Sequence, residues 1–355
     1  MPSPTLAPPV PAAPPASQLR GSDFASLSRL ITEAGLMRRR PGYYIARIAL
    51  VVGFYLAGWT AFAAIGNSWY QLLLAPVLAI AFTQLALVAH DIAHRQVFRT
   101  RRASEIAGLV AGNLGIGMSY GWWMDKHTRH HANPNHEDHD PDVNPDLLVW
   151  SANQARNAKG IAKWIGRRQA LLFFPLLTLE GLNLHVNSVR ALFRPTLRNR
   201  RAEALLLALH LAAYLATVLL VLSPGKAAAF VAIHLALFGV YLGCTFAPNH
   251  KGMEMLNTDS QQLDFLRRQV VTSRNVRGGH LINVLLGGLN YQIEHHLFPS
   301  MPSVNLRRAK PIVRDFCAQI GVPYVETSLV HSYRLALRHL HEAGAPLRRK
   351  PTPNP

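Results

Sequence analysis

Three short histidine-rich segments contain the residues of this sequence that are best suited to chemistry. The first box is His90-Asp91-Ile92-Ala93-His94, the second box is His127-Thr128-Arg129-His130-His131, and the third box is Gln292-Ile293-Glu294-His295-His296. Residues three and four apart on a helix share one face, so the imidazoles of a box project together. The boxes hold seven histidines, too many for one metal ion and suitable for two. The sequence therefore predicts a transition-metal site.

The ligand type alone does not identify the metal, because imidazole binds iron, zinc and copper alike. The two cysteines, Cys244 and Cys317, are far apart and form no Cys-x-x-Cys pattern. They supply neither the thiolates of a structural zinc site nor a disulfide framework, which fits a reducing cytoplasmic environment. The sequence contains no Glu-x-x-His, which argues against a carboxylate-rich di-iron helical bundle.

Apolar segments of about 20 residues, the length that crosses a bilayer, separate the boxes. We predict four membrane spans, at about residues 43–64, 69–88, 202–222 and 226–247. The formal net charge is +18, but the basic residues lie between the apolar segments rather than along one polar face. This distribution is typical of cytoplasmic loops and argues against a nucleic-acid partner. The arginines at 38–40 predict that the first span begins in the cytoplasm.

Two further apolar segments are interrupted by glycine or by polar residues. If residues 105–123 crossed the membrane, the first and second boxes would lie on opposite sides of it, so we expect a re-entrant or interfacial element there. Residues 170–193 are expected to lie along the interface. The predicted fold is all-α, with four transmembrane helices in two hairpins and a cytoplasmic helical cap that holds the metal site. Both termini and all three boxes then lie on one side.

Composition divides the chain into three parts. Residues 1–40 are expected to form a disordered tail, rich in Pro and Ala as far as about Ser17, followed by a basic flank. The tail has no basic start before an apolar core and so is not a signal peptide. Residues 41–345 are expected to form the membrane domain, and residues 346–355 a Pro-rich basic tail.

The three boxes, in this order and spacing, resemble those of the integral-membrane fatty acid desaturases. The run from Gly287 to Pro299 is similar to the branch whose third box begins with Gln rather than His, which includes front-end acyl desaturases and many bacterial acyl-lipid or acyl-CoA desaturases. The resemblance covers roughly residues 40–345. It implies two irons at the cytoplasmic ends of four spanning helices, which agrees with the topology predicted from charge.

The resemblance also implies a ligand set. Its members are the box histidines and one histidine near the end of the fourth span: His90, His94, His127, His130, His131, His250, His295 and His296. Gln292 departs from the all-histidine pattern and is expected to bind weakly, through water, or only behind the ligands. Asp91 and Glu294 are expected to orient imidazole N–H groups, and the acidic residues of the loop after the second box either do the same or are solvated: Glu137, Asp138, Asp140 and Asp142.

Three of the other histidines are given structural roles, and two more are left open. Packing or interfacial roles are expected for His185, His210 and His234, whereas His136 and His139 are candidate ligands by composition alone.

The implied activity is O2-dependent removal of hydrogen from two adjacent methylenes of an acyl-CoA or acyl-lipid. Membrane lipids are expected around the spans. The sequence has no His-Pro-Gly-Gly signature of a fused haem domain, so a separate ferredoxin-type or cytochrome donor with its reductase is expected. A lipid hydroxylase, a ketolase and a sphingolipid desaturase remain alternatives on the same scaffold. A metal transporter is the alternative of another class, but its ligands would lie near the bilayer midplane rather than at the ends of spans. The excess of arginine over lysine suggests a GC-rich bacterial genome, so the expected location is a bacterial inner or plasma membrane.

Overall fold

The computed structural model describes residues 22–258 and 263–348, and this part of the chain is mostly helical with very little strand. Its helices are α1 Asp23–Glu33, α2 Pro41–Ile65, α3 Gln71–Ala93, α4 Arg101–Leu109, α5 Tyr120–Ala132, α6 Ala152–Asn157, α7 Gly160–Gly166, α8 Gln169–Leu177, α9 Glu180–Ala191, α10 Arg200–Val221, α11 Pro224–His250, α12 Phe265–Val271, α13 His280–Leu285, α14 Gln292–Leu297, α15 Ser303–Gln319 and α16 Leu329–Ala343. Two short strands, β1 Asn275–Arg277 and β2 Glu326–Ser328, pair in parallel with Asn275 opposite Glu326.

Four of these helices are long and apolar enough to cross a membrane: α2, α3, α10 and α11. They coincide with the four predicted spans, because hydropathy over about 20 residues is a strong signal. In the most apolar 18-residue stretch of α2 and of α10, only 17% is buried by the rest of the protein, whereas 56% of the corresponding stretch of α3 is buried. Helices α2 and α11 both pack along α3. The helix that ends in the first box therefore lies at the centre of the apolar bundle.

Helices α8 and α9 are long and apolar enough to cross a membrane only if they are taken together, and they are bent by 70° at the break between them. Helix α9 crosses α11 where two glycines meet. A Cβ atom at Gly181 would lie 2.3 Å from the carbonyl oxygen of Leu235, and one at Gly239 would lie 2.5 Å from the backbone nitrogen of Gly181. The two backbones therefore approach more closely than any larger residue permits. The interfacial position of this pair stays a prediction.

The glycine-containing segment 105–123 is broken rather than continuous. Helix α4 runs into a π-helical turn at Val110–Gly115, and the chain then reverses into α5. A Cβ atom at Gly108 would lie 2.4 Å from the ring of Tyr120, which shows how tightly the two arms fold together. Neither α4 nor α5 belongs to the candidate spans.

The structure describes only the part of residues 1–40 that follows the expected disordered tail, and it contains a helix there. Residues Asp23–Glu33 form α1, which the side chain of Ser22 caps by accepting from the backbone N–H of Ala25 at 3.2 Å. Leu27 and Ile31 lie one turn apart and are fully buried, because α1 packs its apolar face on α15. The Pro-rich segment from Met1 to about Ser17 lies outside the described residues.

A second apolar layer carries the third box. Residues of α1, α12, α14 and α15 form one buried cluster, which includes Ile293 and Leu297 of α14. At the far end of the chain, Ala345–Leu347 form a 3-10 turn with Leu347 buried, and residues 349–355 of the expected C-terminal tail lie outside the described part.

Candidate metal centre

The box histidines lie where helices end or are short. His90 is in the last turn of α3 and His94 follows that helix as its cap. The second box occupies the last turns of α5, the third box forms most of α14, and His250 is the last residue of α11. Four helices thus deliver imidazoles to one region from different parts of the sequence.

The structure brings these eight histidines together in two groups. We call them the five-histidine group, made of His90, His94, His127, His131 and His295, and the three-histidine group, made of His130, His250 and His296. Within each group, one ring nitrogen of every member lies within 4.8 Å of those of the others. The groups are adjacent, since the stacked rings of His131 and His296 have centroids 4.3 Å apart.

Ring nitrogens of the five-histidine group lie close together, and some of them have no hydrogen-bond partner. The Nε2 atom of His127 lies 2.8 Å from Nε2 of His94 and 3.1 Å from Nε2 of His131. The Nε2 atoms of His90 and His295 are buried with no hydrogen-bond partner. A buried polar atom left unpaired costs about 1–3 kcal/mol, and a metal ion is the group that several converging imidazole lone pairs would satisfy. The donor set therefore fits a metal ion.

Burial keeps these rings neutral. The pKa values of His94, His127, His131 and His295 lie well below the ordinary range, first because burial disfavours the charged form and then because neighbouring histidines repel a second proton. The neutral ring is the form that binds a metal.

Three hydrogen bonds fix the rings of the three-histidine group. Nδ1 of His250 donates to the carbonyl oxygen of Thr272 at 3.0 Å, and Nδ1 of His296 donates to Oε1 of Gln269 at 2.9 Å. Nδ1 of His130 donates to the carboxylate of Asp140 at 3.0 Å. With Nδ1 as the donor in each ring, the lone pair of the imidazole lies on Nε2.

Asp140 is the only charged one of these three acceptors, and it is itself held in place. Its carboxylate accepts from the backbone N–H groups of Asn135 at 2.7 Å and Asp142 at 2.9 Å. Burial alone would lower the pKa of His130, but the negative charges of Asp140 and Asp142 raise it overall. Asp140 therefore both orients the His130 ring and makes it more basic, as carboxylates behind metal-bound histidines do.

The carboxylates of the first and third boxes have other partners than the imidazoles expected for them. Asp91 binds Arg47 at 2.5 Å and Ser303 at 2.9 Å, while its nearest imidazole nitrogen, Nδ1 of His90, is 3.6 Å away. Glu294 accepts from Tyr324 at 2.6 Å and Asn275 at 2.7 Å. These two carboxylates anchor the box helices rather than orient a ring.

Gln292 lies beside the three-histidine group. Its Nε2 atom is 2.9 Å from Nε2 of His250, and its Oε1 atom accepts from Asn249 at 3.3 Å. The amide thus contacts the ring nitrogen of His250 that does not donate to Thr272.

Sequence reasoning missed several residues that position the site. Gln269 and Thr272 lie in and after α12, far from any box, so no local pattern marks them. Glu203 is almost fully buried and accepts from Ser119 at 2.5 Å and from the backbone of Gly121 at 3.1 Å. A carboxylate at the N-terminus of α5 favours the helix that carries the second box.

The remaining histidines belong to neither group. His210 donates to the carbonyl of Leu114 at 2.8 Å, and His234 bonds the hydroxyl of Tyr214 at 2.9 Å. The rings of His136 and His139 lie 4.4 Å apart in the loop after the second box, and no group of three metal-ligand residues among the described residues includes either.

A cavity of about 320 Å³ lies against the histidines. One wall contains His90, His127, His130, His250 and Gln292. The rest is mainly apolar and includes Met118, Trp122, Trp123, Phe173, Leu184 and Leu242, with Lys126, Asp142, Glu180 and Lys251 as its charged members. A mostly apolar cavity with a few polar groups suits a long hydrocarbon chain with a polar end.

Comparisons with known proteins agree with this geometry. Residues 67–328 match the family model described as fatty acid desaturase. The chain is 30% identical over 334 residues to an acyl-lipid (9-3)-desaturase of Physcomitrium patens, covering 91% of this chain and 62% of that protein. It is 30% identical to the delta(5) fatty acid desaturase fat-4 of Caenorhabditis elegans, over 92% of this chain and 75% of that protein. It is 28% identical to the delta(6)-fatty-acid desaturase fat-3 of the same organism, over 89% and 74% respectively.

Proposed function

Because the chain belongs to the fatty acid desaturase family, we propose that it is an oxidoreductase that introduces a double bond into a fatty acyl chain. The observation that carries the proposal is the pair of adjacent histidine groups on the wall of an apolar cavity. A methylene chain has no polar handle, so an enzyme that acts on it must hold it by shape and apolar contact beside its reactive centre.

The proposed ligands of two irons are the five-histidine group and the three-histidine group. Iron, when bound, would supply the reduction of O2 that provides the driving force for breaking two unactivated C–H bonds. The unpaired, buried Nε2 atoms of His90, His295 and His296 support this assignment. Gln292 is proposed to act behind the ligands, through its contact with His250.

The protein's own side chains have three tasks in this proposal. The apolar residues of the cavity bind the acyl chain and exclude water, so that the reacting methylenes lie against the wall formed by His90, His127, His130 and His250. Asp140, Gln269 and the carbonyl of Thr272 hold the imidazole rings in one orientation. The buried carboxylate of Glu203 holds the start of α5.

Two electrons must come from a partner. Reduction of O2 to two molecules of water takes four electrons and four protons, of which the conversion of two methylenes to a double bond supplies two electrons and two protons. The donor class proposed is a ferredoxin-type or cytochrome protein with its reductase. Exposed Arg95 and Arg129 flank the half-buried His94 and His131, and positive charge there would steer an acidic donor to the site.

The proposed setting is a bacterial inner membrane, with α2–α3 and α10–α11 as two spanning hairpins. The boxes, the cap formed by α12 to α16 and both termini would then face the cytoplasm, and residues 41–345 would form the membrane domain. The basic residues before α2 and between α9 and α10 support this orientation. The substrate would be an acyl-CoA or an acyl-lipid.

The test is expression of the chain in a host fed defined fatty acids, followed by mapping of double bonds by mass spectrometry. We expect a new double bond with the wild type and none with His130→Ala, because that substitution removes a proposed ligand. His139→Ala is the matched control: it removes an exposed imidazole from the loop after the second box, and should leave the product unchanged.

Other outcomes would replace the proposal. A hydroxylated or keto product without a new double bond would assign the chain to the hydroxylase or ketolase activities of the same scaffold. Desaturation of a sphingoid base alone would change the substrate class. Iron uptake by vesicles with unchanged lipids would point to a transporter.

A further inference from the structure

Three of the four charged residues of the cavity form one compact polar cluster: Lys126, Asp142 and Lys251. Nζ of Lys126 lies 2.8 Å from Oδ1 of Asp142, and Nζ of Lys251 donates to the backbone oxygen of Asp142 at 3.0 Å. The ammonium of Lys251 also lies 4.2 Å from the centre of the Trp150 ring, and Trp150 lines the same cavity. Two cations of the cavity are therefore gathered around one residue.

The two lysines differ in how far their charges are already neutralised. Lys126 has a carboxylate partner in Asp142. Lys251, by contrast, has no carboxylate oxygen within 4.0 Å among residues 22–258 and 263–348, although the charges of Asp140 and Asp142 act on it from farther away. Its ammonium contacts a backbone oxygen and an aromatic face. An ammonium has three donors, so Lys251 keeps the capacity to donate to a ligand in the cavity.

The polar cluster is tied directly to the proposed metal centre. Oδ2 of Asp142 lies 3.4 Å from Nδ1 of His130, while the backbone oxygen of the same residue binds Lys251. Lys251 also directly follows His250, a member of the three-histidine group. The separation between the Lys251 ammonium and these histidines is therefore fixed by short contacts through one residue and by the backbone.

The apolar lining of the cavity comes from two separate buried clusters. Met118, Leu184 and Leu242 line the cavity and belong to one buried cluster, whereas Trp150 belongs to another, with Phe173 and Ala247. A bound acyl chain would bury its hydrocarbon among the first set and keep its polar end at the lysines, since an unpaired carbonyl in an apolar site loses a hydrogen bond.

We propose that the ammonium of Lys251 binds the carbonyl oxygen of the acyl ester or thioester, and that its fixed distance from the histidines sets the position of the new double bond counted from that carbonyl. This inference rests on the proposed function. Lys126 and Trp150 hold Lys251 in place, the one by occupying the side-chain carboxylate of Asp142 and the other by contact with the ammonium. The ligand class is an acyl ester or thioester, from a lipid or from coenzyme A.

The test compares the wild type with Lys251→Met in membranes supplied with saturated acyl chains of several lengths. Acyl-CoAs form one arm and phosphatidylcholine vesicles of the same acyl composition form the other, so the productive arm identifies the source. We expect the wild type to place the double bond at a constant number of carbons from the carbonyl. Lys251→Met should lower kcat/KM about tenfold or more, the loss of one hydrogen bond from a charged donor, and should spread the product over several positions. Lys163→Met, at an exposed lysine of α7, is the control.

Each result decides the inference. A wild type that counts from the methyl end, or a Lys251→Met variant that keeps one double-bond position, overturns it while leaving the desaturase activity intact. A wild type that makes no double bond overturns the proposed function itself. If Lys251→Met does not accumulate in the membrane, Lys251→Arg replaces it: the longer side chain should move the double bond by at least one carbon, and an unmoved bond contradicts the inference.

Discussion

The residues that accept a hydrogen bond from Nδ1 of a histidine help to decide what the site can bind. A histidine ligand needs one free nitrogen lone pair and a fixed ring, and the second requirement is met by the partner of Nδ1. The spacing of the boxes in the sequence predicted which imidazoles share a face. It did not reveal Gln269 or Thr272, because their contacts with the rings of the three-histidine group join residues distant along the chain. Asp140 was visible only as one of four acidic residues in a loop.

Replacement of Asp140 by Asn tests the role of the acceptor. Asp140→Asn keeps the size and one oxygen but removes the negative charge that raises the basicity of His130. We expect iron affinity to fall about 10- to 100-fold, the usual effect of losing such a partner. The measurement is the iron retained by purified protein against increasing chelator. Asp138→Asn, at an exposed carboxylate of the same loop, should behave as the wild type. If both variants retained iron equally well, Asp140 would not contribute to iron binding.

Whole helices were predicted with unequal success. The four spans followed from hydropathy, because burial in lipid demands a long apolar segment whatever the tertiary packing. Helix α1 was missed although its apolar residues lie on one face, because a helix of only eleven residues is marginal on its own and is stabilised here by packing on α15. The break between α8 and α9 is likewise a tertiary feature. It places Gly181 against α11, and only the fold shows that those backbones meet.

The glycine crossing between α9 and α11 gives a prediction about stability. A methyl group at Gly239 would meet the backbone of Gly181 and the carbonyl oxygen of Leu177, each at 2.5 Å, and neither can move without shifting a helix. Gly239→Ala should therefore destabilise the protein by about 1–3 kcal/mol, the usual cost of overpacking. Thermal unfolding in detergent should show a lower Tm. Gly53→Ala, in α2 with no atom within 4 Å of the added methyl, is the matched control and should leave the Tm unchanged or raise it. A Gly239→Ala variant as stable as this control would mean that the two backbones do not meet as described.

At the level of the whole molecule, the fold brings together residues separated by about two hundred positions. The first box, the second box, His250 and the third box lie at the ends of four helices, and the two histidine groups form where those ends meet. The requirement that the boxes share one side of a membrane predicted this convergence in outline. The division into a group of five and a group of three was not predictable, since it depends on how the histidine rings of α14 meet those of α3, α5 and α11.

The histidines of the site lie on two faces, one that borders the cavity and one that does not. His90, His127, His130 and His250 border the cavity, whereas His94 and His131 do not and are half-buried. The acyl chain is therefore proposed to approach from the cavity and the electron donor from the other face. The two partners need not compete for one entrance.

The most direct test of the account is the iron content of the purified wild type beside that of His296→Ala. Element analysis by mass spectrometry, on protein from iron-supplemented cells, should give two irons per wild-type chain. His296→Ala removes one of only three histidines in its group, so it should give about one iron per chain and no desaturation. A wild type that forms double bonds with less than one iron per chain would contradict the central claim, and so would a His296→Ala variant with the iron content and activity of the wild type.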